Sequence, residues 1–419
     1  MVRAIVLSDR MFGGASAYSK TTLEICTRLA ALGHHIAHIP MGYANRMGKQ
    51  VYKKVLVYDS GDNPFGEDVA VKDYLDFKAD MLIANKEPWV FQQIHRQAIN
   101  FVPMAIIDHA PLSPHMLARL QSPFRVIAIS RFGQRELSKN KIDSFYIPLG
   151  VRSDVYRPLD KAQCKKAFYL EPDHFIIGIV AMNRARKMIP LMLRGYKRFL
   201  ELNPDVKAHL FLWTNVMPQR PPAESSQGVA DVGVHLLPEM ANLGISNPPN
   251  DVRWTKWEEV EGIGGLPEWD PKGPWDMVRL YNAFDVHLLC SGGEGAGLTY
   301  LEAASCGVPS ICTNYAAAPE YAGPTGIPVK AEDYIIINTP GTRYYLADID
   351  DMARALTKML NTDREKLAKR ARMFAQRQDW DRIMKDYWTP FLQDCEEELH
   401  PLITSRGVKT WASERHVDS

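Results

Sequence analysis

Two glutamates seven residues apart in the intervening count, Glu294 and Glu302, lie in the stretch DVHLLCSGGEGAGLTYLEAASCGVP, residues 285–309. Val286 to Cys290 is a continuous apolar run that reads as a buried strand. Gly292, Gly293, Gly295 and Gly297 follow. Leu298, Leu301, Ala304 and Ser305 then recur at helical spacing, and Gly307 with Pro309 ends the helix. A strand, a glycine loop and a helix in this order gather backbone N–H groups at a helix N-terminus, where a phosphate or diphosphate is favoured. Gly295, Ala296, Gly297, Leu298 and Thr299 would form that cradle. Glu294 sits among four glycines, where an acid gains nothing structurally. The glycines do not match G-x-G-x-x-G with an acid about 20 residues on, which a dinucleotide site requires.

Cations stand elsewhere in the chain. Arg184 and Lys187 lie in the loop NRARK, residues 183–187, between the apolar run Phe175 to Met182 and a helix opened by Pro190. Positive groups at a strand end beside a helix N-terminus stabilise the charge on a leaving diphosphate without a metal. Arg186 is a third candidate. Asp108-His109 directly follows another apolar run, and a histidine there can donate a hydrogen bond or change charge near neutral pH. Gly13 and Gly14 follow the first apolar run, Arg3 to Ser8, and allow close backbone approach to a ligand.

These residues need strands to carry them. Arg3 to Ser8, His34 to Pro40, Lys54 to Tyr58, Met81 to Asn85, Val102 to Asp108, Arg125 to Ser130 and Phe145 to Leu149 read as strands with helical patterns among them. Phe175 to Met182 and His209 to Thr214 continue the pattern, with a helix over Trp275 to Phe284. Such alternation predicts α/β architecture with mainly parallel sheets, which bind ligands beyond the carboxyl ends of their strands. A Gly/Pro-rich insertion, residues 258–274, interrupts the second half and has the length of a lid or recognition loop.

At 419 residues the chain suits two domains, and 46% hydrophobic with 24% charged residues is the composition of a globular protein. No stretch approaches the ~18 apolar residues of a transmembrane segment. Neither a signal peptide nor a C-x-x-C pair is visible, and the six cysteines are scattered. A reducing, cytoplasmic setting without structural zinc is expected. Residues 1–150 carry 18 Lys and Arg against 13 Asp and Glu, whereas the remainder carries 32 against 36.

The E-x7-E pair, the sequence EGAGL at 294–298, Pro319-Glu320, and the segments VIAISRFGQRELS and YIPLGVRSDVYRP at 126–158 resemble retaining GT-B glycosyltransferases of the GT4-like family, glycosyl transferases group 1. The resemblance spans about residues 1–392. It implies two Rossmann-like domains facing across a cleft: an acceptor-binding domain over 1–155 and a nucleotide-sugar domain over 156–378. A helix over 379–392 would cross back to the first domain, with a polar, peripheral tail over 393–419.

The resemblance also implies roles. Glu302 would hold the donor ribose and Glu294 the sugar hydroxyls. Arg184, Lys187 and the cradle 295–299 would bind the diphosphate. His109 would touch the transferred sugar, and Gly13-Gly14 would reach the donor phosphate or the acceptor. The co-substrate would be a UDP- or GDP-sugar, with no other cofactor and no metal. The D-x-D of Asp348 to Asp350 reads as a helix N-cap instead of a metal site. A GT-B sugar-nucleotide epimerase and an NAD-dependent oxidoreductase are the alternative readings. The basic first half, with Lys20, Arg46, Lys49, Lys53 and Lys54 interleaved by Tyr18, Tyr43 and Tyr52, favours a polyanionic acceptor such as modified DNA or a lipid phosphate over a neutral glycan.

Overall fold

The structure, a computed structural model, describes residues 1–11, 16–42, 48–217, 233–247, 251–254, 268, 270–271, 276–337 and 341–406, with side chains to residue 399. Gly13, Gly14, Tyr43, Arg46 and most of the 258–274 insertion lie outside the described residues. The chain is α/β and divides into two compact units: Met1–Ile107, Pro111–Gly150 and Trp380–Ser419 in one, Asp108–Ala110 and Val151–Asp379 in the other.

The first unit holds a sheet of eight strands: β1 (Arg3–Ser8), β2 (His35–Pro40), β3 (Gln50–Tyr52), β4 (Val55–Val57), β5 (Met81–Asn85), β6 (Phe101–Ala105), β7 (Ile127–Ala128) and β8 (Phe145–Tyr146). Their order is β3-β4-β2-β1-β5-β6-β7-β8, parallel except for the antiparallel β3–β4 pair. Central strands such as β5 are buried along their whole length, which is why they read as unbroken apolar runs. Ile5, Leu7, Ile39, Tyr74, Phe91 and Phe101 share one core.

The C-terminal helix belongs to this unit and runs further than its sequence suggests. After a π-helical turn at Met384–Trp388 it continues over Thr389–Arg406, past the expected end at residue 392. Phe391 packs edge-on against Phe145, with ring centroids 5.2 Å apart. Beyond it, Cys395 and Leu399 are buried, and Arg125 pairs with Asp394 at 3.1 Å and with Glu398. Residues 394–399 are therefore docked helix, not peripheral tail.

The second unit has a six-stranded parallel sheet: β9 (Phe175–Val180), β10 (Ala208–Trp213), β11 (Val252–Trp254), β12 (Val286–Leu289), β13 (Ser310–Thr313) and β14 (Ile327–Val329). The order is β11-β10-β9-β12-β13-β14, and an antiparallel hairpin of β15 (Ala331–Ile337) and β16 (Thr342–Ala347) follows it in the chain. A side chain at Gly178 in β9 would meet the Phe284 ring 2.1 Å away, so that strand needs glycine to seat a fully buried aromatic.

In each sheet the chain winds outward from one strand and then returns to its other side. The reversals fall between β1 and β5 and between β9 and β12. Loops at the carboxyl ends of those strands diverge and leave a crevice, the usual ligand position in a doubly wound sheet. Among the described residues no helix is long and apolar enough to cross a membrane. All six cysteines are free and buried.

Candidate active site

The β9/β12 reversal brings the two halves of the expected site together. After β9, Ala185–Lys187 form a 3-10 turn, and the helix Ile189–Leu202 begins behind it. After β12, the glycine loop leads into the helix Leu298–Ser305. Gly297 precedes that helix at φ +99°, a left-handed conformation that favours glycine, and no side chain caps the helix there. A Cβ at Gly297 would also lie 2.6 Å from the Tyr300 ring. The uncapped first turn aims its N–H groups at the crevice end of the loop. Thr299 Oγ1 is buried there without a hydrogen-bond partner among the described residues.

Glu294 is buried beneath this loop. Lys187 Nζ donates to its Oε1, Ser291 Oγ donates to the same oxygen at 2.7 Å, and Arg186 Nη1 stands 3.7 Å from Oε2. Burial opposes the charge on the carboxyl, but Lys187, Arg186 and the two hydrogen bonds outweigh it and hold Glu294 below the ordinary glutamate range. The backbone is tied at the same place. Gly292 N donates to Arg186 O at 2.8 Å, and Arg186 Nη1 donates to Gly293 O at 3.2 Å.

Asp108–Ala110 follow β6 in the chain but group with this second unit. A Cβ on Gly293 would lie 2.3 Å from Asp108 O, so only glycine permits this approach. Ala110 N donates to Tyr315 Oη at 2.8 Å. His109 is buried, and its Nδ1 lies 2.8 Å from Asp108 Oδ1. Burial pushes Asp108 upward, yet the hydrogen bond from His109 and the charge of Arg186 hold it below the ordinary aspartate value. Hydrogen bonding to Asp108 assigns the proton to Nδ1. His109 Nε2 is buried and has no hydrogen-bond partner among the described residues.

Glu302 is buried in the Leu298–Ser305 helix and accepts a 2.6 Å hydrogen bond from Tyr281 Oη. Asp348 caps the helix Ile349–Leu360 by accepting from Asp351 N at 2.6 Å, and Asp350 pairs with Arg198 at 2.7 Å. Arg184 is half-buried at the start of the 3-10 turn, while it is Arg186 that reaches Glu294. Sequence reasoning passed over Ser291, Tyr281 and the buttressing carboxylate of Asp108. Only Asp108 carried a local signal, its adjacency to His109 at a strand end.

In the first unit, the ends of β1 and β5 carry Asp9 and Lys86, paired at 3.0 Å, with Lys86 Nζ 4.0 Å above the Tyr18 ring and Tyr18 donating to Glu87. Of the basic residues singled out in the sequence, Lys20 lies in the first turn of the helix Ala17–Ala31 after β1, whereas Lys49, Lys53 and Lys54 lie elsewhere. Lys53 and Lys54 form the turn between β3 and β4, both at positive φ. Because β4 runs parallel to β2, that turn lies at the amino end of β4, at the sheet edge opposite the β1/β5 crevice. Lys49 pairs with Asp76.

Residues 253–362 match the family described as Glycosyl transferases group 1. A D-inositol 3-phosphate glycosyltransferase from Saccharomonospora viridis is 26% identical over 235 residues, which are 56% of this chain and 46% of the relative. The chain thus spans about half the length of the curated relatives it matches. Among solved structures, a sucrose-phosphate synthase from Thermosynechococcus elongatus aligns with a TM-score of 0.68 at 16% identity, covering 94% of this chain and 99% of that one. The Anabaena HepE structure in complex with UDP-glucose aligns with a TM-score of 0.60 at 16% identity, covering 94% of this chain and all of that one (100%). The β11–β14 region is thus similar to the glycosyl transferases group 1, and the two Rossmann-like units share the GT-B fold of these solved glycosyltransferase structures.

Proposed function

We propose that this chain is a glycosyltransferase that moves a sugar from a UDP- or GDP-sugar to an acceptor hydroxyl, with retention of configuration and without a catalytic metal or further cofactor. The observation that carries the reading is the buried Lys187–Glu294 pair beside the uncapped N-terminus of Leu298–Ser305 at the β9/β12 reversal. In this reading the diphosphate meets Lys187, Arg184 and the N–H groups of Gly295 to Leu298. Fixed cations and dipoles stabilise negative charge as it grows on the departing phosphate. Glu302 takes the ribose hydroxyls, since a carboxylate that accepts from Tyr281 retains further acceptor sites. His109 Nε2 accepts a sugar hydroxyl and so gains the partner it lacks among the described residues.

The bond from the anomeric carbon to the phosphate oxygen breaks on the face where the acceptor oxygen attacks. The departing phosphate oxygen takes the acceptor's proton. Retaining glycosidases instead use a carboxylate nucleophile. Glu294 is poorly suited to that role, because Lys187 and Ser291 already stabilise it as the anion. UDP-glucose bound to HepE supports a UDP-sugar donor. The phosphate in the name of the D-inositol 3-phosphate glycosyltransferases supports an anionic acceptor, with lipid phosphate and modified DNA as candidates and neutral glycan as the contrast. The test is an assay of nucleoside-diphosphate release over UDP- and GDP-sugars, with phosphorylated and neutral acceptors in parallel and the product's anomeric configuration read by NMR. Release that depends on an acceptor and retains configuration is expected. Inversion, or no release with any donor, contradicts the reading.

A further inference from the structure

A second cluster lies at the opposite edge of the second unit's sheet and takes no part in the proposed transfer. Glu171 and His174 precede β9, and His209 is the second residue of β10, so the fold joins them at the amino ends of adjacent parallel strands. His209 Nε2 is 2.8 Å from Glu171 Oε2, and His174 Nδ1 is 3.8 Å from that same oxygen. The two imidazoles lie side by side with centroids 4.6 Å apart. One donor atom from each of the three residues falls within 4.8 Å of the others. The sequence offered no such site, because the two histidines lie far apart in the chain, one before β9 and one in β10, and no cysteine accompanies them.

We propose that Glu171, His174 and His209 bind one divalent transition-metal ion of the zinc class, clamping the segment before β9 to β10. A tetrahedral ion with bonds of about 2.0–2.1 Å spaces its ligand atoms about 3.4 Å apart. The observed 2.8 Å and 3.8 Å separations straddle that spacing. His174 Nδ1 is buried without a hydrogen-bond partner among the described residues. A buried ring nitrogen left without a partner is unfavourable, and a metal bond would satisfy it. His209 Nδ1 stands 3.0 Å from Asp251 Oδ1, though not aligned as a hydrogen bond, where a carboxylate orients a metal-ligating imidazole.

Arg253 Nη2 donates to Glu171 Oε1 at 3.0 Å, which turns Oε2 toward the imidazoles. Two imidazoles in the set favour an ion that imidazole binds strongly, such as Zn²⁺ or Co²⁺, over a hard, oxygen-preferring cation. With the metal bound, β11 joins the clamp through Asp251.

The test uses the full chain, stripped with chelator, desalted, and titrated with Zn²⁺ by calorimetry and with Co²⁺ by visible absorption. One equivalent of Zn²⁺ is expected to bind and raise Tm by several degrees, since a ligand of the folded state stabilises it by mass action. His174→Gln should weaken that binding at least about tenfold, as loss of a group at a metal site does. His115→Gln, an exposed control, should leave it unchanged. Glu171→Gln repeats the test at a second ligand. No stoichiometric binding, or binding of equal affinity in wild type, His174→Gln and Glu171→Gln, overturns the proposal.

Discussion

Lys187 and Glu294, 107 residues apart in the sequence, meet as a buried ion pair between the loops that follow β9 and β12. The pair welds the cationic loop to the glycine loop, so the crevice between them is built before any ligand arrives. Breaking such a pair at one end leaves a buried charge uncompensated and costs about 3–5 kcal/mol. Lys187→Met and Glu294→Gln should each lower stability on that scale, and the double variant should lose less than the two combined. Urea unfolding of all four proteins checks this. Strict additivity would mean that the two groups do not sense each other.

Arg184→Ala removes a cation at the proposed diphosphate without breaking the Glu294 pair. It should lower kcat/KM by about 10²–10³, the effect of removing one preorganised group at developing charge. EDTA should leave the initial rate unchanged at a temperature well below unfolding, even though it strips the site at Glu171, His174 and His209. Loss of turnover on chelation, restored by Mn²⁺, would show that a metal carries the charge instead.

The Glu294 loop was legible in the sequence because strand, glycines and helix are contiguous. The pairing of Lys187 with Glu294 was not, since it depends on β9 and β12 being neighbours, and local periodicity does not encode sheet order. Lys53-Lys54 carries none of the Asn-Gly or Asp-Gly signal of a two-residue hairpin turn, yet strand pairing imposes positive φ on both. The charged run after residue 393 looks solvated until Arg125, 269 residues from Asp394, is brought beside it. Asp108–Ala110 follow a first-unit strand in the chain but sit with the second unit, which no sequence pattern announces.

His109→Ala should slow transfer by about tenfold or more, the worth of one hydrogen bond in a buried site, while UDP or GDP affinity changes little. The buried Nε2 without a partner among the described residues motivates this expectation. Steady-state kinetics beside nucleotide titration separates the two effects. A large loss of nucleotide affinity would assign His109 to the diphosphate instead of the sugar.

His38 ties the chain just past β1. Its Nδ1 is 3.0 Å from Val6 O, and Met11 N donates to its Nε2 at 3.3 Å. Both nitrogens are satisfied only in the neutral ring, and burial pushes its pKa down to about 4. The unfolded chain takes up this proton below about pH 6.5. The folded chain does so only near 4, so acid favours unfolding across that window. His38 should remove up to about 3 kcal/mol of stability between pH 6.5 and pH 4. His38→Asn should lose stability at pH 7 but show a shallower decline on acidification. Parallel pH–stability slopes for the two proteins would exclude His38 as the source.

Glu302→Gln is the closest isostere at the proposed ribose contact, and its amide oxygen can still accept from Tyr281. Ribose contacts hold in both ground and transition states, so the loss should fall on donor binding more than on kcat. A hydrogen bond to a charged group contributes about 1.5–3 kcal/mol, which is tenfold or more in affinity. Isothermal titration of UDP and GDP into the wild-type chain and Glu302→Gln measures this directly. Saturable one-to-one binding of at least one nucleotide is expected, weakened tenfold or more in the variant. No binding of either nucleotide, or equal affinity in both proteins, would contradict a nucleotide-sugar site at the β9/β12 reversal.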